Sequence, residues 1–100
     1  MSERFYILDN RKAVKTDLMT WSRMMGDPKS RRVANTELGS VRVSTVFLGL
    51  DPAFGDGPPL LFETMVFGGP LDGDQERCTS WQQAEAMHEA ACKRVRADAP

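Results

Sequence analysis

One histidine, His88, stands in the chain, so any histidine-dependent acid/base chemistry must run through it. Its neighbours Trp81, Ala84, Ala91 and Val95 recur at helical spacing, which puts the ring in an apolar stripe, where a core histidine bonded to a sheet residue is the commoner arrangement. Cys92 follows one turn later and offers a second metal ligand on the same face. Zinc needs a third and usually a fourth, and no CxxC or HxxxH pair supplies them, so neither a metal nor another cofactor is expected. Glu63 is a carboxylate inside the apolar run from Leu60 to Phe67, a position that costs free energy unless the charge is paired. A cross-strand pair with Arg42 or a neighbouring basic residue answers that cost, and the functional alternative is an acid held protonated at a site. Asp51 and Asp56 flank Phe54 in a segment stiffened by Pro52, Pro58 and Pro59. Asp51, Phe54, Asp56, Glu63 and His88 are therefore the candidate binding residues. An enzyme would have to bring His88 together with Glu63 or Asp51 in one cleft.

Other constellations are weaker. The acids of Asp72-Gly73-Asp74-Gln75-Glu76, and Asp51 with Asp56, lie on turns but do not match the twelve-residue calcium loop that ends in glutamate. Gly55, Gly57, Gly68 and Gly69 fit neither GxGxxG nor GxxxxGK[ST], so no phosphate loop is present. Arg23, Lys29, Arg31 and Arg32 form a modest basic cluster without interleaved aromatic residues. Weak nucleic-acid binding through Arg31 and Arg32 is thus a minor alternative, and a solvated patch is the favoured reading.

The elements that must carry these groups belong to one α+β domain spanning residues 1–100, whose 41% apolar and 27% charged composition is that of a globular protein. Thirteen basic against fourteen acidic residues give a formal charge of -1, which supplies no general attraction to nucleic acid or anionic lipid. The first residues lack a basic region followed by an apolar stretch, and the run from Val46 to Leu50 is far too short to span a membrane, so a cytoplasmic protein is expected. Cys78 just before the last helix and Cys92 twelve residues into it should be on the order of 18 Å apart at the helical rise. That separation is beyond disulfide reach, so both are expected as free thiols.

Aromatic and β-branched residues from Arg4 to Leu8 predict a first strand ended by Asp9-Asn10. Thr16 or Asp17 caps a short helix over Leu18 to Met25, stopped by Gly26-Asp27-Pro28. Arg31 to Leu38 and Val41 to Leu50 read as a hairpin closed by Gly39-Ser40. Leu60 to Phe67 is the next strand, with Phe62, Thr64 and Val66 on one face and Glu63, Met65 and Phe67 on the other. Both long strands carry apolar residues on each face, which predicts cover on both sides of the sheet. Arg77 and Cys78 suggest a short edge strand, and Ser80 with Gln83 forms a capping box opening the C-terminal amphipathic helix. The expected fold is a mainly antiparallel sheet of four or five strands, with that helix on one face and the short N-terminal helix or a second copy of the chain on the other.

The segments Val43-Ser44-Thr45-Val46-Phe47-Leu48-Gly49-Leu50-Asp51, Phe54-Gly55 and Gly57-Pro58-Pro59-Leu60-Leu61-Phe62-Glu63-Thr64-Met65-Val66-Phe67 resemble a family of small uncharacterised proteins encoded in bacteriophage and prophage-bearing bacterial genomes. The likeness extends to Phe5-Tyr6-Ile7-Leu8-Asp9, the Trp21 segment and the Trp81 helix with His88. In relatives a histidine often follows the aspartate at position 51, where this chain has Pro52, so any role of that histidine is absent. The resemblance implies a phage-type accessory protein in the host cytoplasm that binds a host or phage macromolecule, for example to inhibit host defence, and implies no particular chemistry. A non-catalytic binding protein with a protein partner is the leading expectation, and the segment from Asp51 to Pro59 is its expected contact surface.

Overall fold

The computed structural model describes residues 4–51 and 57–98. Two antiparallel strands, β1 (Phe5–Asp9) and β2 (Lys12–Thr16), form a hairpin. Two short helices follow, α1 (Leu18–Met25) and α2 (Pro28–Arg31). A four-stranded antiparallel sheet then runs in chain order through β3 (Arg32–Leu38), β4 (Val41–Phe47), β5 (Phe62–Phe67) and β6 (Gln75–Cys78). The last element, α3 (Trp81–Ala97), lies across it. The fold is α+β, as the sequence predicts.

Local chemistry explains the boundaries. Asp17 caps α1 by accepting a hydrogen bond from the Thr20 N–H at 2.8 Å. Ser80 Oγ accepts from Gln83 N at 3.2 Å, and Gln83 Oε1 accepts from Ser80 N at 3.2 Å, the reciprocal capping box at the start of α3. Gly39 takes φ +66° in the two-residue turn between β3 and β4.

Strand β2 was not foreseen, because Lys-Ala-Val-Lys-Thr carries little apolar surface and is mostly exposed. Its hairpin closes on Asn10 (φ 52°) and Arg11 (φ 69°), both left-handed, at positions where Asn-Gly would be the usual signal. Strands β4 and β5 are shorter than expected. The main ladder stops at Phe47 and Phe62, and Leu50 makes only a bridge to Phe5. Through that bridge the hairpin joins the sheet, with Tyr6 N donating to Gly49 O at 2.7 Å and Trp21 Nε1 to Leu48 O at 3.2 Å.

The larger correction concerns cover. Val43, Thr45 and Phe47 of β4 and Phe62, Thr64 and Val66 of β5 are buried beneath α3, whereas the alternate residues Arg42, Ser44, Val46, Glu63, Met65 and Phe67 face the other way. No described element lies over that second face, because α1 packs on β1 and α2. An antiparallel sheet tolerates this arrangement when its outer residues shield one another. Here Arg42 stacks on the Phe67 ring at 4.4 Å, and Arg77 and Gln75 close over Glu63.

Under α3 the core is divided. One cluster joins Val43 and Val66 to Ala91, Cys92 and Val95. The other joins Phe47, Leu61 and Phe62 to Ala84, with Tyr6, Leu8, Met24 and Trp81 at its margin. Between the two lies the row that holds Thr45, Thr64 and His88.

Candidate functional site

The most buried polar group among the described residues is built from four side chains on four elements. Strand alternation brings Thr36 of β3, Thr45 of β4 and Thr64 of β5 to the inner face, and the apolar stripe of α3 lowers His88 onto them. His88 Nδ1 lies 2.7 Å from Thr45 Oγ1, and Nε2 lies 2.8 Å from Thr36 Oγ1. Thr45 is in turn hydrogen-bonded to Thr64 across the strand pair. Both ring nitrogens are therefore occupied. Thr45 is 0%, Thr64 2% and His88 3% exposed, so a substrate has no access to these three groups, while Thr36 at the end of the row is half-buried. Burial pushes the His88 pKa below its ordinary value, and Glu89 only partly opposes the shift. A neutral, doubly bonded, sealed imidazole holds strands to helix; it is not poised to exchange protons with a ligand.

Glu63 sits on the opposite side of the sheet, since its neighbours Phe62 and Thr64 point inward. Its Oε2 accepts from Arg77 Nε at 2.9 Å and from Gln75 Nε2 at 2.6 Å. The cross-strand partner is thus Arg77, the residue paired with Glu63 in the β5–β6 register, and not Arg42, which lies opposite Phe67. The carboxylate side chain is only 14% exposed although no described element covers that face, because its two partners enclose it. His88 and Glu63 are separated by the sheet itself, so these two side chains do not pair.

Asp51 lies beyond the end of β4, where its backbone N–H donates to Arg4 O at 3.2 Å. Phe54 and Asp56, the other two candidates of the Asp51–Pro59 segment, lie outside the described residues. Both cysteines are free thiols. Burial, together with the nearby Glu76, raises the Cys78 pKa, which keeps it a thiol and a poor nucleophile. Among the described residues no group of three or more histidine, cysteine, aspartate or glutamate side chains is placed to hold a metal, and no helix is long and apolar enough to cross a membrane. Arg31 closes α2 half-buried and Arg32 opens β3, so these neighbours belong to different elements.

Sequence reasoning missed the threonines. Their signal was present: Thr45 and Thr64 occupy the same alternating rows as Phe47 and Phe62, and a hydroxyl in a row of buried residues requires a partner. The partner was the one histidine of the apposed helix.

The uncovered face is a surface with binding character. It combines the apolar Val46, Met65 and Phe67, the last 39% exposed, with Arg42, Arg77, Glu37 and Glu63. Compared with family models, curated proteins and solved structures, the chain matches none of them, so its function is read from its own geometry.

Proposed function

We propose that this chain is a non-catalytic binding protein of phage accessory type, which docks on a host or phage protein through the uncovered face of its sheet. One observation carries the reading: His88 and Glu63 are engaged in holding the fold, while no described element lies over one face of the sheet. That face suits a protein partner. Aromatic, methionine and arginine side chains are the types enriched at the centres of protein interfaces, and Phe67, Met65, Arg42 and Arg77 present them together. It suits nucleic acid poorly, because Glu37 and Glu63 cancel the two arginines.

The same balance of two acids and two bases makes the face self-complementary about a two-fold axis, which favours a second copy of the chain as the alternative occupant. Affinity capture of the tagged protein from an infected or lysogenic host separates these readings when it is run beside an Arg42→Glu/Phe67→Ala variant. The expected result is one reproducible protein partner that the variant loses. Sedimentation of the purified protein as a dimer that the variant converts to monomer would assign the face to self-association. Equal capture by both forms would overturn the assignment of this face.

A further inference from the structure

The formal charge of -1 averages over two regions of opposite sign. Strands β1 and β2 with α1 and α2, from Phe5 to Arg31, carry six basic residues against three acidic ones, a formal +3. The described residues from Arg32 to Asp98 carry six basic against nine acidic, a formal -3. The division follows the structure, since β1, β2, α1 and α2 pack chiefly on one another. Arg11, Lys12, Lys15, Arg23 and Lys29 of this positive lobe are exposed, and none of them forms an ion pair among the described residues. Of the three acids, Asp17 accepts from Thr20 N–H, and Asp27 accepts from Lys29 N–H and the Ser30 hydroxyl, so both are held at helix caps.

The same lobe holds the large apolar side chains that solvent reaches most. Met19 is 67% and Leu18 52% exposed, ahead of every other large apolar residue described, and Val14 of β2 is exposed as well. Local geometry sets them outward. Trp21 turns α1 onto β1, where its ring lies 5.2 Å from that of Phe5, and Met24 joins the core margin. Met19, two residues before Trp21, falls on the far side of a helix with about 3.6 residues per turn, and Arg23 lies one turn after it on that outer side. Strand β2 is paired on one side only. Lys12 and Lys15 leave opposite faces of β2, yet both stand at this free edge, where their long stems extend past the strand. The chain runs from β2 through the Asp17 cap directly into Leu18 and Met19, so exposed cations and exposed apolar groups follow one another along one stretch.

Cations without ion-pair partners beside exposed aliphatic side chains are the features by which a protein surface adheres to an anionic bilayer, with the cations in the headgroup potential and the apolar groups at the acyl boundary. We propose that the lobe formed by the β1–β2 hairpin and α1 adsorbs to an anionic lipid surface, through Lys12, Lys15 and Arg23 with Leu18 and Met19 inserted shallowly. A nucleic acid would engage the cations but leave Leu18 and Met19 without a role. The surface is separate from the sheet face assigned to a protein partner, and neither reading depends on the other.

Co-sedimentation of the full chain with vesicles of about one-third phosphatidylglycerol in phosphatidylcholine tests this. The expected result is saturable binding that is at least roughly tenfold weaker to pure phosphatidylcholine and in Lys12→Glu/Lys15→Glu, since each cation near the surface contributes about 1 kcal/mol. Leu18→Ser/Met19→Ser, which keeps every charge, should bind at least roughly threefold more weakly. All four substitutions fall at exposed positions, and unchanged circular dichroism confirms that each variant is folded. Phe67→Ala, on the sheet face, should bind as the native chain does. Absence of binding to the anionic vesicles by the native chain would overturn the proposal. So would equal binding to pure phosphatidylcholine, undiminished binding in either double variant, or loss of binding in Phe67→Ala. Tighter binding to a duplex oligonucleotide than to the vesicles would overturn it too, by assigning the cations to nucleic acid.

Discussion

At the scale of single residues, His88 couples the fold to pH. In the unfolded chain its imidazole takes up a proton near the ordinary value of 6.5, while in the folded chain burial holds the pKa lower. The unfolded state therefore binds more protons between the two values. Stability is complete above about 6.5, falls as the pH drops toward the lowered folded value, and levels off beneath it for this group. Urea unfolding between pH 7.5 and pH 5 should show this step, and His88→Gln, which retains an amide for Thr36 or Thr45, should abolish it. A step of the same size in the variant would assign it to other groups. The substitution should also cost about 1–3 kcal/mol at pH 7.5, because it leaves a buried hydroxyl without its partner.

At the scale of elements, the critical joint is where the hairpin and α1 meet the end of β4. Gly49 sits there at φ +69°, and a Cβ on it would come within 2.6 Å of Tyr6 O and 2.8 Å of Trp21 Nε1. Gly39 has nearly the same φ, +66°, with nothing within 4 Å. The two sites separate conformational strain from collision. Gly39→Ala should cost about 1–2 kcal/mol from the left-handed backbone alone. Gly49→Ala should cost clearly more, since Trp21 and the Tyr6 carbonyl must also move, and the difference in urea midpoint at constant m-value measures the joint. Elements defined by local signals were legible in advance. The α1 span and the Ser80–Gln83 cap depend on residues three or four apart, and both stand where they were expected. Features set by long-range register were not. Arg77 reaches Glu63 only because the turn from Gly68 to Asp74 sets the β5–β6 pairing. Apolar residues on both faces of β4 and β5 suggested two covering layers. Within the described chain α1 does not supply the second layer; Arg42 lies over the Phe67 ring, which is still 39% exposed, and that contact leaves no periodic trace.

At the scale of the whole molecule, cohesion is uneven. Strands β3 to β5 and α3 share the buried clusters, whereas β2 buries nothing and α1 has no fully buried residue. The hairpin is tied to the sheet by the bonds at Tyr6, Asp51 and Trp21 and by the partly buried Tyr6, Leu8 and Met24. Local opening free energies follow such differences in burial. Native-state hydrogen exchange should therefore place the amides of β1 and β2 in a unit that opens well below the global unfolding free energy, while Val43, Thr45 and Thr64 exchange only with global unfolding. Equal protection throughout would mean that the hairpin and the sheet open as one body.

The row of Thr64, Thr45, His88 and Thr36 also has a direction. Each hydroxyl has one hydrogen to give, and the neutral ring has one N–H, so donors and acceptors must run the same way along the row. With the proton on Nε2, the ring donates to Thr36, Nδ1 accepts from Thr45, and Thr45 accepts from Thr64. With the proton on Nδ1, every bond reverses. The tautomer of one imidazole thus orders hydroxyls on three neighbouring strands, and Thr64→Val, which removes the terminal acceptor, leaves Thr45 to donate to Nδ1 and places the ring proton on Nε2. The nitrogen chemical shifts of His88 read out the orientation of hydrogens across the core, a property of the sheet reported by a side chain of the helix.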